Sequence, residues 1–232
     1  MYDALAPYYR KYSAGKASYL DAIDDLIIAR IPPGARSLLD IGAGDGVRAA
    51  KIAHARDIPT LVLVEPSQPM RQLCQLQNPT EIWPLEAQHL PDDGPRFDVI
   101  TCLWNVLGHI PSFDERQLAL QKMAGLLNPA GVLFFDVNNR HNAASYGWRR
   151  VTKNYISDLL SPDPSHGDVS FQWSINGTTI AAMGHLFTPD EVAKLLAGAG
   201  LRIRRRAVVD YRHGREGRFV FQGQLLYETG LG

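Results

Sequence analysis

Between positions 37 and 137 the apolar residues fall in short, nearly unbroken runs separated by stretches with helical spacing. The runs SLLDI, TLVLVE, EIWPLEA, FDVITCLW and GVLFFDV lack the alternation expected of a strand with one wet face. Strands covered on both faces read this way, and they belong to parallel sheets flanked by helices. Between them, residues 45–55, 67–77 and 112–127 predict helices. Ser67 opens the second, and Ser112 stands in capping-box register with Glu115 at the start of the third. An earlier helix over 19–31 follows from Leu20, Ile23, Ile27 and Ile31, and Pro32 and Pro33 end it. Alternation of this kind predicts right-handed βαβ units.

The pattern changes after residue 139. Residues 139–167 read as irregular, with SPDPSHGD (161–168) the clearest loop, and 169–187 as two β-like runs around Asn176 and Gly177, a hairpin signal. Thr188, Pro189 and Glu191 mark the start of a helix over 188–200. The runs 201–211 and 218–228 have no helix between them and are expected to pair antiparallel. The expected fold is α/β: a doubly wound, Rossmann-like, seven-stranded, mostly parallel sheet with an antiparallel last strand and helices on both faces. At 232 residues the chain fits a single domain, with an N-terminal helical segment over 1–33 and an insertion over 139–187.

Composition narrows the partners. Lys+Arg and Asp+Glu number 24 each, so no global field favours nucleic acid or an anionic membrane. Alternating arginines in LRIRRR (201–206) read first as the solvent side of a strand, and second as a phosphate-binding patch. Cys74 and Cys102 match neither a metal-ligand spacing nor a redox pair, so no metal is expected. No run approaches the length of a membrane span, and the N-terminus has no secretory h-region. The expectation is a cytoplasmic protein, monomeric or homodimeric.

The chemistry concentrates in LLDIGAGDGVRAA, residues 38–50. Its spacing is G-x-G-x-G, whereas the dinucleotide fingerprint is G-x-G-x-x-G. Glycines let a backbone turn sharply and approach a ligand closely, and the following helix aims its amides at that ligand. Glu65, closing the second run, suits both hydroxyls of a ribose. Asp40 would repel a pyrophosphate but suits an ammonium or sulfonium, and its plainer reading is a brace for the turn.

These residues resemble the first motif of class I S-adenosylmethionine-dependent methyltransferases, acidic-x-G-x-G-x-G. LVEPS, LEAQHLPDDGPRFDVITCLWNVLGHI, LLNPAGVLFFDV and HLFTPDEVAKLLAGAGLRI follow in that family's order. The resemblance covers residues 2–208 and implies S-adenosylmethionine as cofactor, with S-adenosylhomocysteine as product. It implies a cofactor site at Asp40, Gly42, Ala43, Gly44, Glu65, Pro66 and Met70, with Leu103 and Trp104 near the amino acid end. The family's aspartate-alanine pair is Glu86-Ala87 here, so the adenine contact passes to a longer side chain or to Gln88. Tyr2, Tyr8 and Tyr12 stand in the N-terminal segment that folds over the cofactor in this family.

Methyl transfer from a sulfonium is an in-line displacement, so the protein mainly aligns reactants, and a base serves only where the acceptor must lose a proton. Residues at carboxyl ends of strands point to an acceptor site: His109 and His141 as candidate bases, with Asn105 and Asn138 beside them. Tyr146, Trp148, Trp173, His185 and Tyr211 complete the candidate substrate lining, and 139–187 is the expected substrate lid. Each histidine also has an ordinary structural reading, Asn138 reads equally as a loop cap, and Trp173 as core. The expected activity is methylation of an N or O atom of a small metabolite. A nicotinamide-dependent oxidoreductase and a non-catalytic S-adenosylmethionine-binding protein are the alternatives.

Overall fold

A computed structural model describes residues 2–161, 163–175 and 178–232. Three helices, α1 (Tyr2–Leu5), α2 (Tyr9–Ala14) and α3 (Ala17–Arg30), precede β1 (Ser37–Ile41). Alternation then runs through α4 (Val47–Ala55), β2 (Thr60–Val64), α5 (Gln68–Gln75), β3 (Glu81–Trp83), β4 (Phe97–Cys102), α6 (Phe113–Gly125) and β5 (Leu127–Val137). Two further helices, α7 (Ala143–Tyr146) and α8 (Trp148–Leu160), lead to the hairpin strands β6 (Asp168–Ile175) and β7 (Thr178–His185). The chain closes with α9 (Pro189–Gly198), β8 (Leu201–Val209), β9 (Glu216–Gly217) and β10 (Gln224–Leu231).

The main sheet has the order β3-β2-β1-β4-β5-β10-β8-β9, and β6 and β7 form a sheet of their own. β1 to β5 are parallel, and β10 runs antiparallel to both β5 and β8, as the last two apolar runs predict. The strand count is one higher than expected because Glu216–Gly217 pairs with the end of β8. Two residues carry no apolar periodicity, so no pattern announces such a strand.

Strand side chains alternate between two cores. Leu39, Ile41, Ile100, Leu133 and Phe135 pack on one face under α6 and α9 residues such as Leu120, Met123, Leu195 and Leu196. Leu38, Val99, Phe134 and Leu226 pack on the other with Ile23 and Ile27 of α3 and Ile52 of α4. Ser67, Ser112 and Thr188 cap α5, α6 and α9 through their hydroxyls as the sequence predicts. In β8, Arg202, Arg204, Arg205 and Arg206 are exposed, the solvent reading of LRIRRR.

The stretch 139–167 is not irregular throughout: α8 spans thirteen of its residues. Trp148, Val151, Tyr155 and Leu159 do recur at helical spacing, but only Val151 is buried. The Asn176-Gly177 turn of the expected hairpin lies outside the described residues, while its two strands pair antiparallel from Asp168–His185 onward. Among the described residues no helix is long and apolar enough to cross a membrane.

Candidate active site

β1 ends in a turn that only glycine fits at two positions. Gly42 and Gly44 have φ of +69° and +59°, in the left-handed region. A methyl group added to Gly42 would lie 2.6 Å from Val106 Cγ2, and one on Gly44 would lie 2.5 Å from the Tyr9 hydroxyl. The turn is tied to β2: Val64 O accepts the Gly42 and Ala43 amides, and Glu65 Oε2 accepts the Gly44 amide at 2.8 Å. Glu65 Oε1 accepts the Ser67 amide at 2.9 Å. Burial pushes the Glu65 carboxyl above its usual range, while those backbone bonds oppose the shift. Gly42, Gly44, Glu65, Pro66, Glu86 and Gln88 face a cavity of about 250 Å³. Close backbone on one side and a carboxylate at the end of β2 on the other fit a nucleoside, so these residues could hold an adenosine moiety.

A second cavity of about 380 Å³ adjoins the first, and Tyr2, Tyr9, Trp104 and His109 line both. This shared wall is built on an unusual backbone. Trp104 and Asn105, following β4, both have φ of +61°, a conformation that asparagine tolerates and that is costly for a tryptophan. Three bonds hold it. The Trp104 amide donates to Asp136 Oδ1, the indole Nε1 donates to the Tyr211 hydroxyl at 3.2 Å, and Asn105 Oδ1 accepts the Asn138 amide at 2.8 Å. Tyr12 stacks on the indole with ring centroids 5.6 Å apart. His109 Nδ1 lies 3.2 Å from the Met183 carbonyl, and its ring meets Tyr2 edge-on at 5.7 Å. A carbonyl only accepts, which assigns the hydrogen to Nδ1 and leaves Nε2 as the basic nitrogen. Burial lowers the pKa of this imidazole, keeping it neutral.

Residues 10–205 match the family described as methyltransferase domain. The chain belongs to this methyltransferase family. It is an S-adenosylmethionine-dependent methyltransferase. It is 29% identical over 180 residues to a ubiquinone biosynthesis O-methyltransferase of Coxiella burnetii, covering 71% of this chain and 74% of the relative. A dTDP-3-amino-3,6-dideoxy-alpha-D-glucopyranose N,N-dimethyltransferase of Streptomyces fradiae is 29% identical over 125 residues, covering 53% and 48%. In fold the methyltransferase resembles the amino pentose methyltransferase CalS10 of Micromonospora echinaspora, with TM-score 0.65 and 17% identity over 97% of this chain and 96% of the other. The CcbJ methyltransferase of Streptomyces caelestis gives TM-score 0.68 and 17% identity over 91% and 90%.

The structure brings most of the sequence-predicted residues together and sets others apart. Gly42, Gly44, Glu65, Pro66, Glu86, Ala87, Gln88, Leu103 and Trp104 line the first cavity. Tyr2, Asn105, His109, Asn138, Tyr146, His185 and Tyr211 line the second. Tyr8 lines neither: Ala6–Tyr8 forms a 3₁₀ turn, and Tyr9, the first residue of α2, faces inward instead. Met70 is fully buried beneath Leu5 and Ala6 rather than on the cavity wall. Ala43 faces a separate hollow with Arg10 and Arg48.

Asp40 is buried inside the sheet, facing Thr101 across the β1–β4 ladder and accepting its hydroxyl at 2.6 Å. Its brace is therefore a strand side chain, not the turn amides. Burial pushes its carboxyl up to about 7. His141 lies away from both cavities, with Nε2 3.0 Å from Asp158 Oδ2, which Arg140 also engages at 2.9 Å. The chain beyond β5 is pinned at Asn139 by Gln224, Val220 and Gly223, and the following residues turn toward α8. Trp148 is exposed and rests against Phe221. The Trp173 side chain lies outside the described residues.

His185 lines the second cavity but is held from behind, its two ring nitrogens 2.7 Å from Asp168 and 2.9 Å from Glu191. Sequence reasoning missed Tyr9 on the shared wall, Arg150 on the lining of the second cavity, and Asp136, which holds the Trp104 amide. Asp136 had a signal: in FFDV it shares the face of Phe134, so a strand that is otherwise apolar carries one buried carboxylate. It accepts the Tyr19 hydroxyl at 2.6 Å as well as the Trp104 amide.

Proposed function

We propose that this methyltransferase methylates an oxygen or nitrogen atom of a small molecule held in the 380 Å³ cavity. The observation that supports this reading is that two adjoining cavities share Tyr2, Tyr9, Trp104 and His109; one is read as the cofactor cavity and the other as the acceptor cavity. In-line displacement needs the donor and acceptor atoms on opposite sides of one methyl group, and adjoining cavities are compatible with that requirement. Two relatives whose names specify O-methylation and N,N-dimethylation of small molecules support the same class of acceptor.

S-Adenosylmethionine supplies a methyl group already activated on a positively charged sulfur. The remaining work falls to the chain. Glu65 accepts hydrogen bonds from the ribose hydroxyls, and Glu86 or Gln88 meets the adenine amine. The backbone at Gly42, Gly44 and Leu103 borders the amino acid end, and residues 2–14 cover it. Trp104 and Tyr9 exclude water from the wall. Nε2 of His109 takes the proton that an acceptor hydroxyl or ammonium gives up, and β6, β7 and α8 close the acceptor side. None of these residues needs a metal for its role.

Incubating the protein with S-adenosylmethionine and a panel of small phenols and amines, and measuring S-adenosylhomocysteine release, tests the reading. Acceptor-dependent release that falls sharply in His109→Ala is the expected outcome. Cofactor binding without release for any acceptor would count against it and favour a binding protein.

A further inference from the structure

The two cavities carry opposite signs. Glu65 and Glu86 line the cofactor cavity, with no lysine or arginine among its described lining residues. The acceptor cavity has no aspartate or glutamate among its described lining residues, and Arg150 is the one arginine or lysine. Arg150 stands in the first turn of α8, exposed, with its guanidinium 5.6 Å over the Tyr146 ring. Tyr146 is itself fixed by a hydrogen bond to Gln224. Arg10, Arg48, Arg116 and Arg140 each pair with a carboxylate. Among the described residues Arg150 has none.

A guanidinium kept over an aromatic ring, facing a cavity without a counter-charge, favours a ligand that brings the negative charge with it. Much of the rest of the wall is aromatic and amide, with Tyr12, Trp104, Phe171, Tyr211, Asn105 and Asn138 beside His109, His185 and a few aliphatic side chains. It suits a flat or ring-shaped body between the charge and the reacting atom. We propose that the methyl acceptor carries an acidic group, a carboxylate or a phosphate, which Arg150 binds at the cavity mouth while the accepting atom faces Trp104 and His109. This rests on the acceptor cavity proposed above, and it makes Arg150 a specificity-determining residue with no part in the chemistry.

The test is direct binding to protein saturated with S-adenosylhomocysteine, followed by calorimetry. The probes are catechol, 3,4-dihydroxybenzoate and 4-hydroxyphenyl phosphate. Both charged probes are expected to bind about tenfold or more tightly than catechol, the range of a charge-assisted hydrogen bond. The tighter of the two identifies the acidic group. Arg150→Ala should abolish the preference and Arg150→Lys should keep part of it, with S-adenosylhomocysteine affinity equal in all three proteins. Equal or undetectable binding of charged and neutral probes, or a preference that survives in Arg150→Ala, would overturn the proposal. Failure of S-adenosylhomocysteine to bind the wild type would instead overturn the cofactor cavity on which it rests.

Discussion

The His109 imidazole is neutral and singly oriented for two separate reasons, burial and the Met183 carbonyl. If it accepts the acceptor's proton, the rate rises with pH as His109 loses its own, with a midpoint below the ordinary histidine range. His109→Gln should remove that acid limb and lower kcat by about 10²-fold, the low end for a general base. Stopped assays across pH 4 to 8 read both. Asp40 gives a different pH signature. Its carboxyl is raised to about 7 in the folded protein, whereas an unfolded aspartate titrates near 3.9. Between those values the folded state holds more protons than the unfolded one, so this group's contribution to stability falls as pH rises from ~4 to ~7. Asp40→Asn keeps an acceptor for Thr101 and should lose less thermal stability between pH 5 and pH 8 than the wild type. Glu65 and the glycines were legible because the turn motif is local in sequence. Asp40 was visible in the motif but its partner was not, since Thr101 comes from register between strands and lies sixty-one residues away. Tyr9 was hidden because a 3₁₀ turn reset the helical phase just before it.

Among the elements, the N-terminal cap and the hairpin differ in how firmly they are held. α1 and α2 dock through a small apolar cluster of Leu5, Ala6 and Met70, with Asp3 accepting the Ser67 hydroxyl at 2.6 Å and Arg10 paired to Asp45 at 3.3 Å. Burying Leu5 is worth about 1.5–3 kcal/mol, and further anchorage comes from ring contacts of Tyr2, Tyr9 and Tyr12 with His109 and Trp104 at the cavity wall. Residues 2–14 should therefore exchange amide hydrogens faster than β1 and β4, and slow down on adding S-adenosylhomocysteine. Leu5→Ala is expected to weaken that ligand by about tenfold or more, because closure of the cap loses a buried anchor. Its melting temperature should fall by no more than roughly 10 °C, since Leu5 packs in a small cluster apart from the two main cores. Unchanged exchange on adding ligand would dissociate the cap from the cofactor. The base of the β6–β7 hairpin is clamped more tightly. His185 joins Asp168 at its start to Glu191 of α9, and Arg116 of α6 reaches Asp168 at 3.3 Å. The strands and α9 were readable from alternation and capping residues. α8 was not read because most of its apolar stripe faces solvent, which removes the burial that makes periodicity persuasive.

Over the whole molecule, the parallel sheet and its antiparallel closing strand follow from runs buried on both faces, and that part of the architecture was open to inspection in the sequence. Strand order places the glycine turn, Glu65 and Trp104 at adjacent carboxyl ends, which is why one motif leads to the cavity proposed for the cofactor. The acceptor cavity was only half legible. Its walls come from the N-terminus, the loop after β4, α7, α8, the hairpin and the turn after β8, and their meeting depends on long-range packing. A ligand that binds only the folded state stabilises it by about 2.7 kcal/mol at a hundred times its Kd. Saturating S-adenosylhomocysteine should thus raise the melting temperature by ~5–10 °C, and NADH should leave it unchanged. The central claim, that cofactor and acceptor meet across one aromatic wall, is tested most directly by a crystal structure with S-adenosylhomocysteine bound. The account predicts ribose hydroxyls on Glu65 and the sulfur against the wall of Tyr2, Tyr9, Trp104 and His109. A sulfur directed away from that wall, toward the hollow of Arg10, Ala43 and Arg48, would contradict it.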